Sequence, residues 1–118
     1  MQYLLLIYDE EKVLDAMSPA EQQAFGGEYF AYTDAITKSG HFRAGDALQG
    51  ISSATTVRIR EGKTLTTDGP FAETREQLGG YYLVEAANLD EAISLAARIP
   101  SARTGSIEVR PIMVFEPR

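Results

Sequence analysis

The sequence of 118 residues contains no cysteine and only one histidine, His41. Without cysteine there can be no disulfide, no thiolate nucleophile and no thiolate-bound metal. One histidine cannot build a zinc or iron site of several histidines within a single chain. The pair Gly79-Gly80 lacks the other residues of a phosphate-binding loop, and no Gly-x-Ser-x-Gly nucleophile elbow is present. We therefore predict that the protein uses neither a metal nor an organic cofactor.

Positive charge is also scarce, because 11 basic residues stand against 17 acidic ones and the formal net charge is -6. Proteins that bind nucleic acid normally present a basic face, and anionic membrane surfaces attract basic segments. The apolar run over residues 3–8 is far shorter than the ~20 residues that span a bilayer. Met1-Gln2 lacks the basic start of a signal peptide. These features predict a cytoplasmic location, no direct contact with nucleic acid and no membrane association.

The length suits a single domain of roughly 100–150 residues, which we place over residues 1–118. Alternating or continuous apolar runs predict strands, and apolar residues spaced three or four apart predict helices. The predicted order is strand 3–8, helix 18–38, strand 41–48, hairpin 55–60 with 63–67, strand 79–86, helix 88–99 and strand 107–110. This order predicts an α+β fold, namely a ferredoxin-like antiparallel sheet with two helices on one face and an extra hairpin.

Polar residues indicate where both helices begin. Ser18 with Glu21, and Asn88 with Glu91, have the spacing of a capping box, in which two side chains bond to exposed backbone amides of the first turn. The charged residues 9–12 follow the first strand, and we expect them to leave the sheet for solvent.

Two of the predicted strands, residues 3–8 and 81–84, are apolar on both faces. Two helices can cover only one face of a sheet, so the second apolar face needs a partner. For a chain without another domain, the simplest partner is a second copy of itself. The pattern therefore predicts a homodimer packed sheet against sheet.

Residues 68–82 read DGPFAETREQLGGYY, which resembles the hallmark of the DGPF proteins, a YCII-related family. The closing residues 105–111, GSIEVRP, and the order of the elements match this family as well. The resemblance implies a dimeric α+β barrel of ferredoxin-like type. It also implies a genomic association with extracytoplasmic-function sigma factors.

The YCII branch of the family has a histidine on the first helix and an aspartate before a proline after the second helix. These two residues are proposed to act as an acid–base pair. The corresponding region of the first helix here contains Glu28 and Tyr29, and the residue before Pro100 is Ile99. The pair is therefore not carried over to this chain, and a catalytic apparatus would have to use other residues.

Three ionisable residues are candidates for catalysis. Asp68 is a general base if its strand end is partly desolvated, or else a turn residue that bonds to backbone amides. Histidine suits proton transfer near neutral pH, so His41 is the second candidate if Asp68 or Glu28 lies within reach. As a lone histidine, it is otherwise an ordinary surface or packed residue. Glu28 completes the predicted catalytic set.

Four further residues are candidates for binding a substrate. Tyr32 and the other tyrosines either line a cavity for a planar organic molecule or pack in the core. Phe71 is an apolar anchor beside the Asp-Gly-Pro turn and a candidate ligand contact. Arg75 either clamps a substrate carboxylate or lies in a solvated loop. Arg110 either projects into a pocket or pairs with a neighbouring acidic residue.

Two functions fit these observations. The first is a cofactor-free acid–base enzyme, isomerase-like or lyase-like, that acts on a small molecule in a dimer cleft. The second is a non-catalytic ligand-sensing or regulatory module linked to transcription, which the missing acid–base pair and the acidic charge favour. Convergence of Asp68, His41 and Glu28 on one apolar pocket would support the enzyme.

Overall fold

A four-stranded antiparallel sheet and a separate two-stranded hairpin form the framework of the computed structural model, which describes residues 1–116. The strands are β1 (Gln2–Asp9), β2 (Phe42–Ala47), β3 (Thr55–Arg60), β4 (Lys63–Asp68), β5 (Gln77–Glu85) and β6 (Ser106–Pro111). The helices are α1 (Glu11–Asp15), α2 (Pro19–Lys38) and α3 (Leu89–Ala97). The strand order of the larger sheet is β2-β5-β1-β6, and every neighbouring pair is antiparallel. The predicted α+β class with an antiparallel sheet is confirmed.

Helices α2 and α3 cover the same face of the sheet. Alternate side chains of a strand share a face, and in strand β1 this face carries Tyr3, Leu5 and Ile7. All three side chains are buried. The helices contribute the buried side chains Tyr32, Ile36, Ala92, Leu95 and Ala96 to the same core cluster. The opposite face is open: Leu4, Leu6, Tyr81 and Leu83 are only partly buried. The sheet is thus apolar on both faces, and the two long helices cover one of them.

The start of α2 agrees with the sequence pattern. The Ser18 hydroxyl accepts from the Glu21 amide at 3.1 Å, and the Glu21 carboxylate accepts from the Ser18 amide at 3.0 Å. At α3, only half of the predicted box forms. Asn88 accepts from the Glu91 amide, but the Glu91 carboxylate accepts from the Ala87 amide instead of the Asn88 amide. The reciprocal half of this second capping box was wrong.

The residues after β1 also differ from the prediction. Asp9 belongs to the sheet and is only 6% exposed, so the expectation that it leaves the sheet for solvent was wrong. The chain then forms the short helix α1, which the sequence pattern did not indicate. Tertiary contacts hold this helix, since the Gln77 side chain accepts from the Glu11 amide and the Glu11 carboxylate accepts from the Ile51 amide.

The hairpin of β3 and β4 turns at Glu61 and Gly62, which both have positive φ, as a two-residue hairpin turn requires. It pairs with no other strand among residues 1–116, and every residue of β4 is exposed. The radius of gyration is 16.5 Å. A compact chain of this length would have a value of about 13.5 Å, so parts of the structure extend away from the core. Within the same residues, no helix is both long and apolar enough to cross a membrane.

Candidate functional site

A cavity of about 510 Å³ lies between helix α2 and the core face of strands β1, β2 and β5. Its walls are largely apolar and come from the sheet, α1 and α2. They include Ile7, Leu14, Phe25, Phe30 and Phe42. Phe30 is 83% exposed and lies at the solvent side, whereas Ile7 is buried at the sheet. Such a volume with apolar walls suits a small organic molecule.

Glycines bring the strands beneath this cavity close together. A β-carbon on Gly45 would lie 2.7 Å from Cδ1 of Tyr82, and one on Gly80 would lie 2.8 Å from the Asp46 carbonyl oxygen. Carbon atoms do not approach so closely, so β2 and β5 can pair here only because these positions lack side chains. The Tyr82 ring occupies the space beside Gly45 and forms part of the cavity wall.

Paired hydroxyl groups interrupt the apolar walls. The Tyr29 hydroxyl bonds to the Ser101 hydroxyl at 2.5 Å, and the Tyr82 hydroxyl bonds to the Thr33 hydroxyl at 2.6 Å. The Thr33 hydroxyl also donates to the Tyr29 carbonyl at 2.9 Å. All four residues line the cavity. The site therefore offers hydrogen-bonding groups to a ligand while its own hydroxyls stay partnered without one.

The tyrosines of this site remain protonated at neutral pH. Burial raises the pKa of Tyr29 and that of Tyr82 above the ordinary tyrosine value, although their bonds to Ser101 and Thr33 act in the opposite direction. The pKa of Tyr81 is raised by the bond from its hydroxyl to the Asp46 carboxylate, at 2.7 Å. These phenols can donate or accept hydrogen bonds, but they are not bases near pH 7.

The charged residues that line the cavity are both acidic. They are Asp9, at the end of β1, and Asp46, on the edge strand β2; among residues 1–116, no lysine, arginine or histidine lines it. Asp46 is exposed, and its carboxylate accepts from Tyr81 on the open face of the sheet, so this charge lies on the far side of β2 from the cavity. Asp9 is buried, and its Oδ1 accepts from the Thr104 hydroxyl at 2.7 Å. The described part of the chain thus gives the site no positive charge for a ligand carboxylate or phosphate.

The three predicted catalytic residues have separate partners. His41 bonds through Nδ1 to the Ser39 hydroxyl at 2.7 Å and lies 3.2 Å from the Glu91 carboxylate through Nε2. Glu28 pairs with Arg103 at 2.7 Å on the surface. Asp68 ends β4 opposite Thr55. None of the three lines the 510 Å³ cavity, and no hydrogen bond or ion pair among residues 1–116 joins any two of them. The predicted convergence on one apolar pocket is therefore absent from this structure.

The four predicted binding residues also lie outside this cavity. Tyr32 is buried in the core, where its hydroxyl donates to the Leu95 carbonyl at 2.8 Å. Arg75 is exposed and pairs with Glu10 at 2.6 Å. Arg110 pairs with Glu108, two residues away on the same strand.

Phe71, which is 79% exposed, lines a second cavity of about 680 Å³ together with Asp68, Gly69 and Tyr8. This cavity surrounds the Asp-Gly-Pro-Phe turn and is distinct from the first. The turn is held by Gly69, whose amide donates to the Ala54 carbonyl at 2.7 Å and whose φ is positive. Asp68 and Phe71 thus share a pocket with each other, but with neither His41 nor Glu28.

Among residues 1–116, no group of three or more histidine, cysteine, aspartate or glutamate side chains could hold a metal ion.

The family model of the YCII-related domain matches residues 1–116. The chain belongs to the YCII-related family. Its relatives include the "uncharacterized protein R00369" of Rhizobium meliloti (strain 1021), which is 38% identical over 119 residues. That alignment covers 99% of this chain and 96% of the relative.

A solved structure with a similar fold is 5-chloro-2-hydroxyhydroquinone dehydrochlorinase from Burkholderia phenoliruptrix AC1100, in complex with 2,5-dihydroxybenzoquinone. The TM-score is 0.58 at 15% identity, and the match covers 96% of this chain and 94% of the other. At that identity the likeness concerns the fold alone. The mixed α+β fold of this YCII-related protein is thus shared with a small-molecule enzyme.

Sequence reasoning did not identify Asp9, Thr33 or Ser101 as lining residues of this YCII-related site. A signal for Asp9 was present, because it continues the alternation of Tyr3, Leu5 and Ile7 on the buried face. Thr33 and Ser101 offered no such signal, since the sequence does not show which residues lie opposite them in space.

Proposed function

We propose that this YCII-related protein binds a small, uncharged aromatic molecule that carries hydroxyl or keto oxygen atoms. The observation that supports this proposal is the 510 Å³ cavity, whose apolar walls are interrupted by two hydroxyl pairs, Tyr29 with Ser101 and Tyr82 with Thr33. Rings fill apolar space, and a few placed hydroxyl groups orient the oxygen atoms of a ligand.

The charges of the cavity narrow the class of ligand. Asp9 supplies the carboxylate of its core side, and within residues 1–116 no cationic side chain lines it. A ligand carboxylate or phosphate would meet like charge without a compensating partner, which is unfavourable in a partly desolvated site. Neutral phenols, hydroquinones and related hydroxylated rings avoid this cost. The structural neighbour was solved with 2,5-dihydroxybenzoquinone, which supports the size and the oxygenated six-membered ring of the proposed ligand.

The chemistry that would follow binding is a cofactor-free acid–base reaction of the isomerase or lyase type. The neighbouring dehydrochlorinase, whose name describes the loss of hydrogen chloride, supports this version of the proposal. The alternative is a ligand-sensing module that binds the same class of molecule without turning it over. Asp68 does not line the 510 Å³ cavity, so it would act as a base only on a ligand bound in the second cavity, beside Phe71.

We also propose that the protein is a homodimer. The open sheet face carries Leu4, Leu6, Tyr81 and Leu83, and the hairpin exposes Val57 and Ile59 at 60% and 61%. The segment after β6 exposes Met113, Val114 and Phe115 at 73%, 82% and 80%. Apolar surface of this extent on a small chain favours a partner, and a second copy presents the same complementary surfaces.

Two adjacent glycines of α2 provide a matched test of the binding site. A β-carbon on either Gly26 or Gly27 would meet no atom within 4 Å, but only Gly26 lines the cavity. We expect Gly26→Leu to place a side chain in the cavity without disturbing the helix, because leucine favours helix over glycine. Gly27→Leu places the same side chain on the exposed surface and is the control.

Isothermal titration calorimetry with hydroquinone would measure the effect. We expect binding to the wild type and to Gly27→Leu, and at least tenfold weaker binding to Gly26→Leu. Equal affinity for the two variants would contradict binding in this cavity. Loss of binding in Asp68→Asn, with Gly26→Leu unaffected, would instead locate the ligand in the second cavity. Turnover of the probe, followed by chromatography, separates an enzyme from a sensor.

A further inference from the structure

Asp9 is a buried carboxylate without an ion-pair partner among residues 1–116. It is 6% exposed, and none of the ion pairs of the described chain includes it. Removing a carboxylate from water is costly unless charges or hydrogen bonds compensate. Asp9 is the one buried acidic residue among residues 1–116, and other acidic residues are more exposed, as is Glu28, which pairs with Arg103. Asp9 therefore requires an explanation of its own.

The two oxygen atoms of Asp9 have different surroundings. Oδ1 accepts from the Thr104 hydroxyl at 2.7 Å. A β-carbon on Gly105 would lie 2.6 Å from this same oxygen, so the loop before β6 lies directly against it. Among the described residues, Oδ2 receives no hydrogen bond. In residues of this part of the chain that are not exposed, every fully buried side-chain oxygen or nitrogen has a hydrogen-bond partner. Because Oδ2 has no partner, it is not fully buried and keeps an accessible surface.

The accessible surface of Asp9 faces the proposed binding site, because the residue lines the 510 Å³ cavity. Ser101 and Tyr29 line the same end, and Asp9 is near enough for its charge to contribute to the raised pKa of Tyr29. Tyr29 and Ser101 bond to each other, and among the described residues neither hydroxyl makes a hydrogen bond to Oδ2. The cavity thus contains one strong acceptor whose second oxygen is free to accept.

We propose that Asp9 is the specificity-determining residue of this site, whose Oδ2 accepts a hydrogen bond from a ligand hydroxyl group. This inference rests on the proposed function, and it narrows the ligand class from oxygenated rings to hydroxyl donors such as phenols and hydroquinones. A hydrogen bond to a charged acceptor is roughly twice as strong as one between neutral groups. A ligand whose oxygen atoms are methylated cannot donate, so it leaves Oδ2 without a partner.

The alternative role for Asp9 is structural, in which its carboxylate only holds Thr104 and the loop that ends at Gly105. Asp9→Asn distinguishes the two roles. Asparagine has the same size and retains an oxygen that accepts from Thr104, but it replaces the other carboxylate oxygen with an NH₂ donor. The structural role is therefore largely preserved, whereas the acceptor offered to the ligand is lost.

The experiment compares hydroquinone, which donates two hydroxyl hydrogens, with 1,4-dimethoxybenzene, which only accepts. Calorimetric titration of both probes into the wild type and Asp9→Asn gives a ratio of affinities for each protein. We expect the preference for hydroquinone to fall about tenfold in Asp9→Asn, because the charge-assisted bond from the hydroquinone hydroxyl to the carboxylate is lost. The NH₂ group of the asparagine also donates to 1,4-dimethoxybenzene, which only accepts. Asp34→Asn, which changes an exposed carboxylate of α2 that pairs with Lys38 outside the cavity, should keep the wild-type preference.

The outcomes separate this inference from the proposed function. If both probes bind the wild type and Gly26→Leu weakens both, the cavity is a binding site. If Asp9→Asn then changes the two affinities by the same factor, the proposed role of Asp9 is wrong. If neither probe binds the wild type, both proposals fail. Should Asp9→Asn not fold, a crystal structure of the wild type with hydroquinone decides. A hydroxyl oxygen beyond hydrogen-bond distance of Oδ2 would overturn the inference.

Discussion

The Tyr29 hydroxyl and the Ser101 hydroxyl, 72 residues apart in sequence, meet at 2.5 Å and join helix α2 to the turn that follows α3. Ser101 is 2% exposed, so its hydroxyl has little access to water if this partner is lost. The contact closes one end of the cavity and fixes the position of the Tyr29 ring, which also packs edge-on against Phe25 at 5.4 Å between centroids. The stability of the folded protein and the shape of the cavity therefore both depend on the hydrogen bond between Tyr29 and Ser101.

A double-mutant cycle on this pair should show the coupling. We expect Tyr29→Phe to lower the free energy of unfolding by about 1–3 kcal/mol, since it leaves the buried Ser101 hydroxyl without a partner. Tyr29→Phe combined with Ser101→Ala should cost less than the sum of the single changes, because the orphaned hydroxyl is removed. Urea denaturation measures all four proteins. Strictly additive effects would show that the two hydroxyls do not stabilise each other.

Alkaline pH should destabilise the protein through its buried tyrosines. Burial is the main cause that raises the pKa of Tyr32, and the nearby Tyr82 adds to the effect. The folded pKa is thus above the unfolded value of about 10, so the stability contribution is complete below pH ~10 and is lost as the pH rises further. We expect Tyr32→Phe to reduce the alkaline slope by up to about 1.4 kcal/mol per pH unit.

Urea denaturation between pH 8 and pH 12 measures this slope. Tyr32→Phe should also be less stable at pH 8, because the bond from the hydroxyl to the Leu95 carbonyl is lost. Tyr8→Phe is the control, since the Tyr8 side chain is only partly buried and its hydroxyl makes no hydrogen bond among residues 1–116. Equal slopes for the wild type and Tyr32→Phe would contradict the assignment to Tyr32.

The architecture could be predicted because its signals are local. The capping box of Ser18 and Glu21 and the tight turn at Glu61-Gly62 are properties of neighbouring residues, and both form as expected. Helix α1 was missed because it depends on Gln77 and Ile51, which are distant in sequence. The second capping box was only half right: the Glu91 amide donates to Asn88 as expected, but the Glu91 carboxylate accepts from the Ala87 amide and approaches His41 instead of accepting from the Asn88 amide.

The candidate site was less predictable, because a cavity is a property of the distance between elements. Thr33 and Tyr82 are 49 residues apart, and nothing in either local pattern indicates that they bond. The sequence analysis favoured Asp68 and His41 for their chemistry, whereas burial distinguishes Asp9. The alternation of β1 places Asp9 on the core face, but the charged run that follows it masked this signal.

Gly105 should be intolerant of any side chain. A β-carbon there would lie 1.9 Å from the Tyr8 carbonyl oxygen and 2.6 Å from Oδ1 of Asp9, and the first of these is a backbone atom that cannot turn aside. We expect Gly105→Ala to lower the free energy of unfolding by about 3 kcal/mol, at the upper end of overpacking effects. Gly79→Ala is the control, because its β-carbon would meet only the Ile7 carbonyl at 4.0 Å.

The measurement is urea denaturation of both alanine variants against the wild type. A loss below about 1 kcal/mol in Gly105→Ala would show that the loop can move away from β1, contrary to the close approach described above. A loss in Gly79→Ala as large as that in Gly105→Ala would indicate a general intolerance of side chains in this part of the sheet.

The open face of the sheet should be the dimer interface. Leu6 lies at its centre, directly opposite Tyr81 on one neighbouring strand and Glu108 on the other. We expect Leu6→Lys to give a folded monomer, because the lysine can approach Glu108 within one chain. A dimer would have to bury two added charges, which is unfavourable. Sedimentation velocity at micromolar concentration should show a dimer for the wild type and a monomer for the variant.

Ile93→Lys is the matched control for this experiment. Ile93 lies on α3 and is 49% exposed, so the same substitution adds the same charge away from the open sheet face. The control should remain a dimer. A wild-type monomer at micromolar concentration would contradict the homodimer, and the open apolar face would then need a different partner. A dimer that persists in Leu6→Lys but dissociates in Val57→Lys would place the interface on the hairpin instead, where Val57 is 60% exposed.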